Sequence, residues 1–175
     1  MEASGASGGA QPGAGGPGAG PVVAGARPPG PRVFVGSYEH SVDDKNRLVL
    51  PAPYRARLAA GAYLGPLDGF VGLWPDDTFD GVLSTWSDGV GLGIVSQELF
   101  DAFLAATYFV QPDGQGRIVV HRNLLAFAGI DGPVMVAGAR ERVAMWARDR
   151  WDQRQEGIPG GPSEALRQAA RDLKL

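Results

Sequence analysis

Apolar and polar residues follow one another in the same order twice along this chain. Val33-Phe-Val-Gly-Ser-Tyr38 and Arg47-Leu-Val-Leu50 read as hairpin strands around a polar turn, because β-branched and aromatic runs bounded by turn residues favour extended backbone. Pro51 and Pro53 end the second run and suit the first turn of a short helix, where Tyr54 and Leu58 share an edge. Phe70-Val-Gly-Leu-Trp74 reads as another strand, stopped by Pro75. From Asp76 to Ser87, Phe79, Val82, Leu83 and Trp86 recur at i, i+3, i+4 and i+7, the period of an amphipathic helix facing a core. Asp88 to Gly93 reads as a loop, and Ser96 as the cap of a helix reaching Thr107, with Leu99, Phe103 and Leu104 inward.

The second pass begins there. It predicts strands at Tyr108 to Gln111 and Arg117 to Val120, a short helix from Asn123 to Ala128 ended by Gly129, and strands at Val134 to Ala137 and Arg142 to Met145. Trp146 to Gln155 has a helical period. Beyond a Pro/Gly linker, a Ser163-capped helix carries Leu166, Ala170 and Leu173 on one face, which predicts a partner-binding or loosely docked helix.

The repetition is sharpest in two turns, Glu39-His-Ser-Val-Asp-Asp-Lys-Asn-Arg-Leu-Val-Leu-Pro51 and Phe109-Val-Gln-Pro-Asp-Gly-Gln-Gly-Arg-Ile-Val-Val-His121. In each, an Asp opens the turn and an Arg follows four residues later, and Asp113 and Arg117 stand 70 residues after Asp43 and Arg47. An Asp side chain can accept bonds from backbone two residues on, and Asn46 tolerates the left-handed conformation of such turns. Self-similarity at this scale predicts two half-size units sharing one core. Trp74 and Trp146, at matching places, read as core anchors.

Composition narrows the picture. At 175 residues and 44% hydrophobic, the chain can form one domain or two small fused units. Residues 1–31 are almost wholly Gly, Ala, Pro, Ser and Val and read as a disordered extension. Their G-x-G patterns lack the flanking strand and helix of a phosphate loop. No apolar run approaches the roughly 20 residues that span a bilayer, and the absence of Cys excludes disulfides, thiolate zinc sites and Cys nucleophiles. A soluble cytoplasmic protein without a membrane partner is expected.

The net charge of −3 announces no nucleic-acid partner, but affinity for phosphates depends on local cations. Lys45, Arg47, Arg55 and Arg57 form one cluster, with Arg32 upstream, and Arg117 and Arg122 a smaller one. Arg47 and Arg117 have two readings. Each can pin its turn by pairing with its Asp, or present a fork that bonds a phosphate or a guanine edge; the two can coexist. Lys45 and Asn46 sit at the turn tip, while Arg55 and Arg57 read as a solvated helix face. His40, Asp43 and Asp44 make a poor metal trio, because adjacent carboxylates point different ways, and no metal is expected. Nothing pairs a nucleophile with a base or sets two carboxylates for acid–base work. No catalysis, cofactor or small-molecule substrate is expected.

The paired Asp-x-x-x-Arg turns, the segment Tyr38-Glu-His-Ser-Val-Asp-Asp-Lys-Asn-Arg-Leu-Val-Leu-Pro51, the Trp-ended strands and Ala128-Gly-Ile130 resemble the MraZ family of bacterial transcription regulators, from about Val33 to about Gln155. The resemblance implies an α+β fold: two tandem AbrB-like units, 33–80 and 108–155, forming a double-psi, swapped-hairpin-like β-barrel with peripheral helices. Connecting helices would occupy 81–107, and a linker and C-terminal helix 156–175. It further implies a nucleoid-associated regulator that binds double-stranded DNA as a ring homo-oligomer, on promoter direct repeats of the division and cell-wall gene cluster. Lys45, Asn46, Arg47 and Arg117 would face DNA, and Asp43 and Asp113 would shape the loops. Asn46 replaces the family's usual Gly and His121 the usual Pro or Ala. With few basic residues in the second unit, the first is expected to carry more of the contact. The rival expectation is a ring-forming scaffold that captures protein through its basic loops and C-terminal helix. An enzyme of double-psi architecture cleaves itself at Gly-Ser, but Gly36-Ser37 lies inside a predicted strand and no cleavage is expected.

Overall fold

The structure, a computed structural model, describes residues 33–175; the extension expected over 1–31, and Arg32, lie outside the described residues. Strands β1 (Ser37–Ser41) and β2 (Arg47–Val49) lead into helix α1 (Ala52–Leu58), the hairpin β3 (Ala62–Pro66) and β4 (Val71–Pro75), and helix α2 (Asp76–Gly91). Helix α3 (Gln97–Ala105) connects to the same order again: β5 (Tyr108–Val110), β6 (Arg117–Val119), α4 (Arg122–Ala128), β7 (Pro133–Ala139), β8 (Arg142–Ala147) and α5 (Arg148–Glu156). Helix α6 (Gly161–Asp172) follows.

The halves are exchanged rather than stacked. Six antiparallel strands run in the order β1-β7-β8-β4-β3-β5, and β2 and β6 form a separate two-stranded ribbon. The first strand of each half therefore pairs with the hairpin of the other, β1 with β7 and β5 with β3, and β4 meets β8 at the centre. The six-stranded ladder begins at β1 and ends at β5, and no ladder closes it into a barrel among the described residues. The fold is a mixed α+β arrangement of antiparallel strands and helices.

This exchange corrects the expected hairpin. Beyond one bridge, Val42 to Leu48, β1 and β2 do not pair with each other. The reason is burial: pairing β2 with β6 sets Leu48 opposite Ile118, both fully buried, and Leu50 and Val120 join the same core. Tyr54, Leu64 and Leu73 from the first half and Leu124, Val134, Val143 and Met145 from the second complete that cluster. Alternation reveals which face is buried but not which strand lies alongside.

Other boundaries shift for local reasons. The expected strand from Val33 starts only at Ser37, because Gly36 takes φ +85° and leaves Phe34 a single bridge to Arg140. Strand β3 is missed by pattern, since Ala, Gly and Pro dominate it, yet it pairs on both sides. Helix α2 continues through the expected loop to Gly91, and the amides of Leu92 and Gly93 close its last carbonyls at Asp88 and Val90. Ser96 caps α3 as expected, accepting from Leu99 N–H at 3.2 Å, whereas α6 starts at Gly161 without a side-chain cap from Ser163. Trp146 belongs to β8, not to the helix after it. The two tryptophans are buried in separate small clusters, Trp74 with Phe79 and Phe103, Trp146 with Phe70 and Met135.

Candidate nucleic-acid interface

The β2–β6 ribbon has three residues per strand, and alternation divides them cleanly. Leu48 and Ile118 point into the core, while Arg47, Val49, Arg117 and Val119 form the outer face, with both valines exposed. Because Arg47 pairs with Val119 and Val49 with Arg117, the two arginines lie on a diagonal of that face. Each loop is stitched to the exit of the opposite strand: Leu50 N–H donates to Gly116 O and Val120 N–H to Asn46 O, both at 2.8 Å.

Within each loop the Asp is the hub. Asp43 Oδ1 accepts the backbone N–H groups of Lys45 at 2.9 Å and Arg47 at 2.8 Å, and its Oδ2 accepts Arg47 Nε at 2.8 Å and Nη2 at 2.7 Å. Asp113 repeats the pattern with Gln115 and Arg117 N–H at 2.9 Å each and Arg117 Nε at 2.7 Å. Asn46 at φ +58° occupies the left-handed position that Gly116 fills at φ +74°. The Asn in place of Gly thus leaves the turn geometry unchanged. Lys45 is exposed at the tip and Asn46 half-buried.

These bonds shift the titration of the loop. The Arg47 side chain, then its backbone N–H, hold the Asp43 carboxyl down at about 2. The backbone N–H of Arg117, then its side chain, hold Asp113 below the usual carboxylate range. Asp43 raises the pKa of Arg47 in return, and Asp44 and the opposite loop's Asp113 add to that field. Both arginines are therefore oriented by carboxylates, yet about a third of each side chain stays exposed. The pinning reading describes the geometry, and the exposed remainder of each fork keeps the second reading available.

The surroundings differ between loops, and one contributor escaped the sequence reading. Arg55 Nε donates to Leu50 O at 2.9 Å, and its Cδ and Nε lie 2.7 Å from where a Cβ on Gly116 would stand. A cation of the first half thus lies on the loop of the second. Only the missing side chain at Gly116, opposite Asn46 in the repeat, hinted at it. The first loop instead shares a hollow with Leu125, Ile130 and Asp131. Asp43, Asp44 and Asp131 line that hollow, while Asp113 pairs with Arg117 in the second loop. Each loop thus has two cations beside it, Lys45 with Arg47 at the first and Arg117 with Arg55 at the second. Arg57 is no solvated residue either: it is 5% exposed and pairs with Asp77 at 2.7 Å, tying α1 to the first turn of α2.

His40 does not join Asp43 and Asp44; burial and then the Arg55 charge lower its pKa, and among the described residues no three His, Asp or Glu side chains are grouped to hold a metal. His121 stacks on Tyr108 at 4.1 Å and its Nδ1 accepts Asn123 N–H at the start of α4. Arg122 is exposed beside it. No helix among the described residues is long and apolar enough to cross a membrane.

The family described as "MraZ protein, putative antitoxin-like" matches residues 103–172. A transcriptional regulator MraZ of Mycoplasmopsis pulmonis is 31% identical over 124 residues, covering 70% of this chain and 84% of that protein. Its namesake in Kocuria rhizophila is 32% identical over 122 residues, 69% of this chain and 85% of the relative. That of Mycolicibacterium smegmatis is 28% identical over 142 residues, 81% of this chain and 99% of the relative. With two such relatives above 30% identity and spanned over most of their length, this chain belongs to the MraZ family.

Proposed function

We propose that this chain is a transcriptional regulator, not an enzyme, that binds double-stranded DNA through the outer face of the β2–β6 ribbon. The observation that carries the proposal is the diagonal of Arg47 and Arg117 on one exposed two-stranded ribbon, each fork oriented by its own Asp. A major groove admits such a ribbon, and a guanidinium can bond a guanine edge in bidentate fashion. Lys45 and Asn46 at the first tip serve as phosphate and base-edge contacts, Arg55 adds a cation at the second, and Val49 and Val119 stand where thymine methyls would meet apolar surface. Asp43 and Asp113 shape the loops and hold the arginines. The exchange of β1 and β5 between halves supports two AbrB-like units, 33–80 and 108–155, interleaved around one core in the double-psi manner.

One protomer with a charge of −3 and a few free cations binds weakly. A ring of protomers on promoter direct repeats gains avidity of about 10²–10⁴ through effective concentration. The targets are repeats ahead of the division and cell-wall gene cluster, which places the protein with the nucleoid in the cytoplasm.

Fluorescence anisotropy of a labelled duplex taken from immediately upstream of the chain's own gene tests this across a salt series. Wild type binds with log K falling by about 0.9 per phosphate contact per decade of salt. Weak binding that ignores salt, equal in wild type and Arg47→Ala, would leave the Asp–Arg pairs as structural pins and favour the protein-binding scaffold.

A further inference from the structure

A groove of about 360 Å³ opens between α2, α3, α4 and the β3–β4 turn. Leu67, Trp86, Leu99, Phe103 and Phe127 line it, and Asp68 sits at its edge. Leu99 is 51% and Phe127 49% exposed, so water meets a continuous apolar surface there. Glu98 lies one turn before Ala102, another lining residue, and adds a second carboxylate to that rim.

The same chain carries a surface of matching character. On α6, Leu166, Ala170 and Leu173 fall at i, i+4 and i+7 and form one ridge. Leu166 and Leu173 are each 69% exposed, and no residue of the helix is buried although it packs beside α5. Arg167 and Arg171 follow the ridge along one flank, and among the described residues neither holds an ion pair. No residue of α5 or α6 lines the groove, so a chain does not fill its groove with its own helix.

We propose that α6 of one copy docks in the α3–α4 groove of the next, with its Leu ridge against Leu99 and Phe127 and its basic flank against Asp68 and Glu98. The contact is heterologous: each copy uses its helix on one neighbour and its groove on the other, so the arrangement propagates head to tail. It deepens, and rests on, the proposal that the chain is an oligomer.

Sedimentation velocity on the full chain tests it with two variants at exposed positions, Leu166→Asp on the helix and Leu99→Asp in the groove. Wild type sediments as a multi-subunit species. Each variant associates roughly 10- to 100-fold more weakly, the loss expected from exposing one buried Leu, and sediments as monomer at the same concentration. An equimolar mixture of the two forms 1:1 heterodimers and stops there, because one partner's intact groove accepts the other's intact helix. A charge exchange, Glu98→Arg with Arg171→Glu, restores association lost in either single change. Variants that keep the wild-type size, or a mixture that stays monomeric, overturn this interface while leaving the oligomer in place. A wild type that is monomeric throughout overturns the oligomer as well.

Discussion

Loops 43–47 and 113–117 share one backbone design and differ in almost everything around it. Both put an Asp side chain at the hub of the same three bonds, and both place a left-handed residue before the Arg, yet one uses Asn46 and the other Gly116. The first loop carries its own Lys45, whereas the second has no cation of its own but Arg117 and receives Arg55 from the other half. Turn geometry was thus duplicated intact, because it is closed by bonds spanning four residues. The electrostatic setting was not, because it depends on which helix lies across the loop.

The largest expected effect comes from removing what the loops share. Arg47→Ala with Arg117→Ala should abolish specific DNA binding, while either change alone weakens it roughly 5- to 150-fold per lost contact. Anisotropy on the upstream duplex separates these, and a single change as damaging as both would break the equivalence of the loops. Next is the left-handed position. Gly116→Ala should destabilise the fold by about 1–3 kcal/mol, since it strains φ +74° and drives a Cβ into Arg55. Asn46→Gly should be close to neutral, and urea denaturation of the two variants measures the contrast.

A smaller effect isolates the donated cation. Arg55→Ala should lower the slope of log K against log salt by about 0.9, one phosphate contact, with little change in stability. An unchanged slope would leave Arg55 as packing for Gly116. The smallest effect is the titration of the hubs. Carboxyl-detected NMR should find Asp43 titrating at about 2 and Asp113 also below the ordinary range. Both pKa values are depressed by folding, so their stabilisation is present above the unfolded value near 3.8 and is lost as pH falls through the folded one. Asp43→Asn should flatten the acid limb of stability more than Asp113→Asn does.

Much of this was legible in the chain. The Asp–Arg spacing located both turns, the 3.6-residue period located α2, and the Ser96 cap located α3. Of the α3 residues read as inward, only Phe103 is buried, and Leu99 and Leu104 are exposed. Gly129 at φ +66° ends α4 where a C-terminal glycine should. What stayed hidden has a common cause. Strand β3 was masked by residues that carry no strand signal, yet two neighbouring strands hold it. Arg57 looked solvated because α1 is short, although its Asp77 partner lies 20 residues on. Arg55 belonged, by local period, to the same outward face.

The sequence by itself determined the two pinned turns, the left-handed residue in each, the amphipathic helices and the duplication, all matters of hydrogen bonds and apolar spacing within a few residues. Only the tertiary structure decided that β2 lies against β6, that the arginines therefore meet on one diagonal, and that Arg55 covers the opposite loop. Those pairings join segments about 60 to 70 residues apart. They are selected by which strand best covers Leu48 and Ile118 in a shared core, a choice that no local pattern of residues encodes.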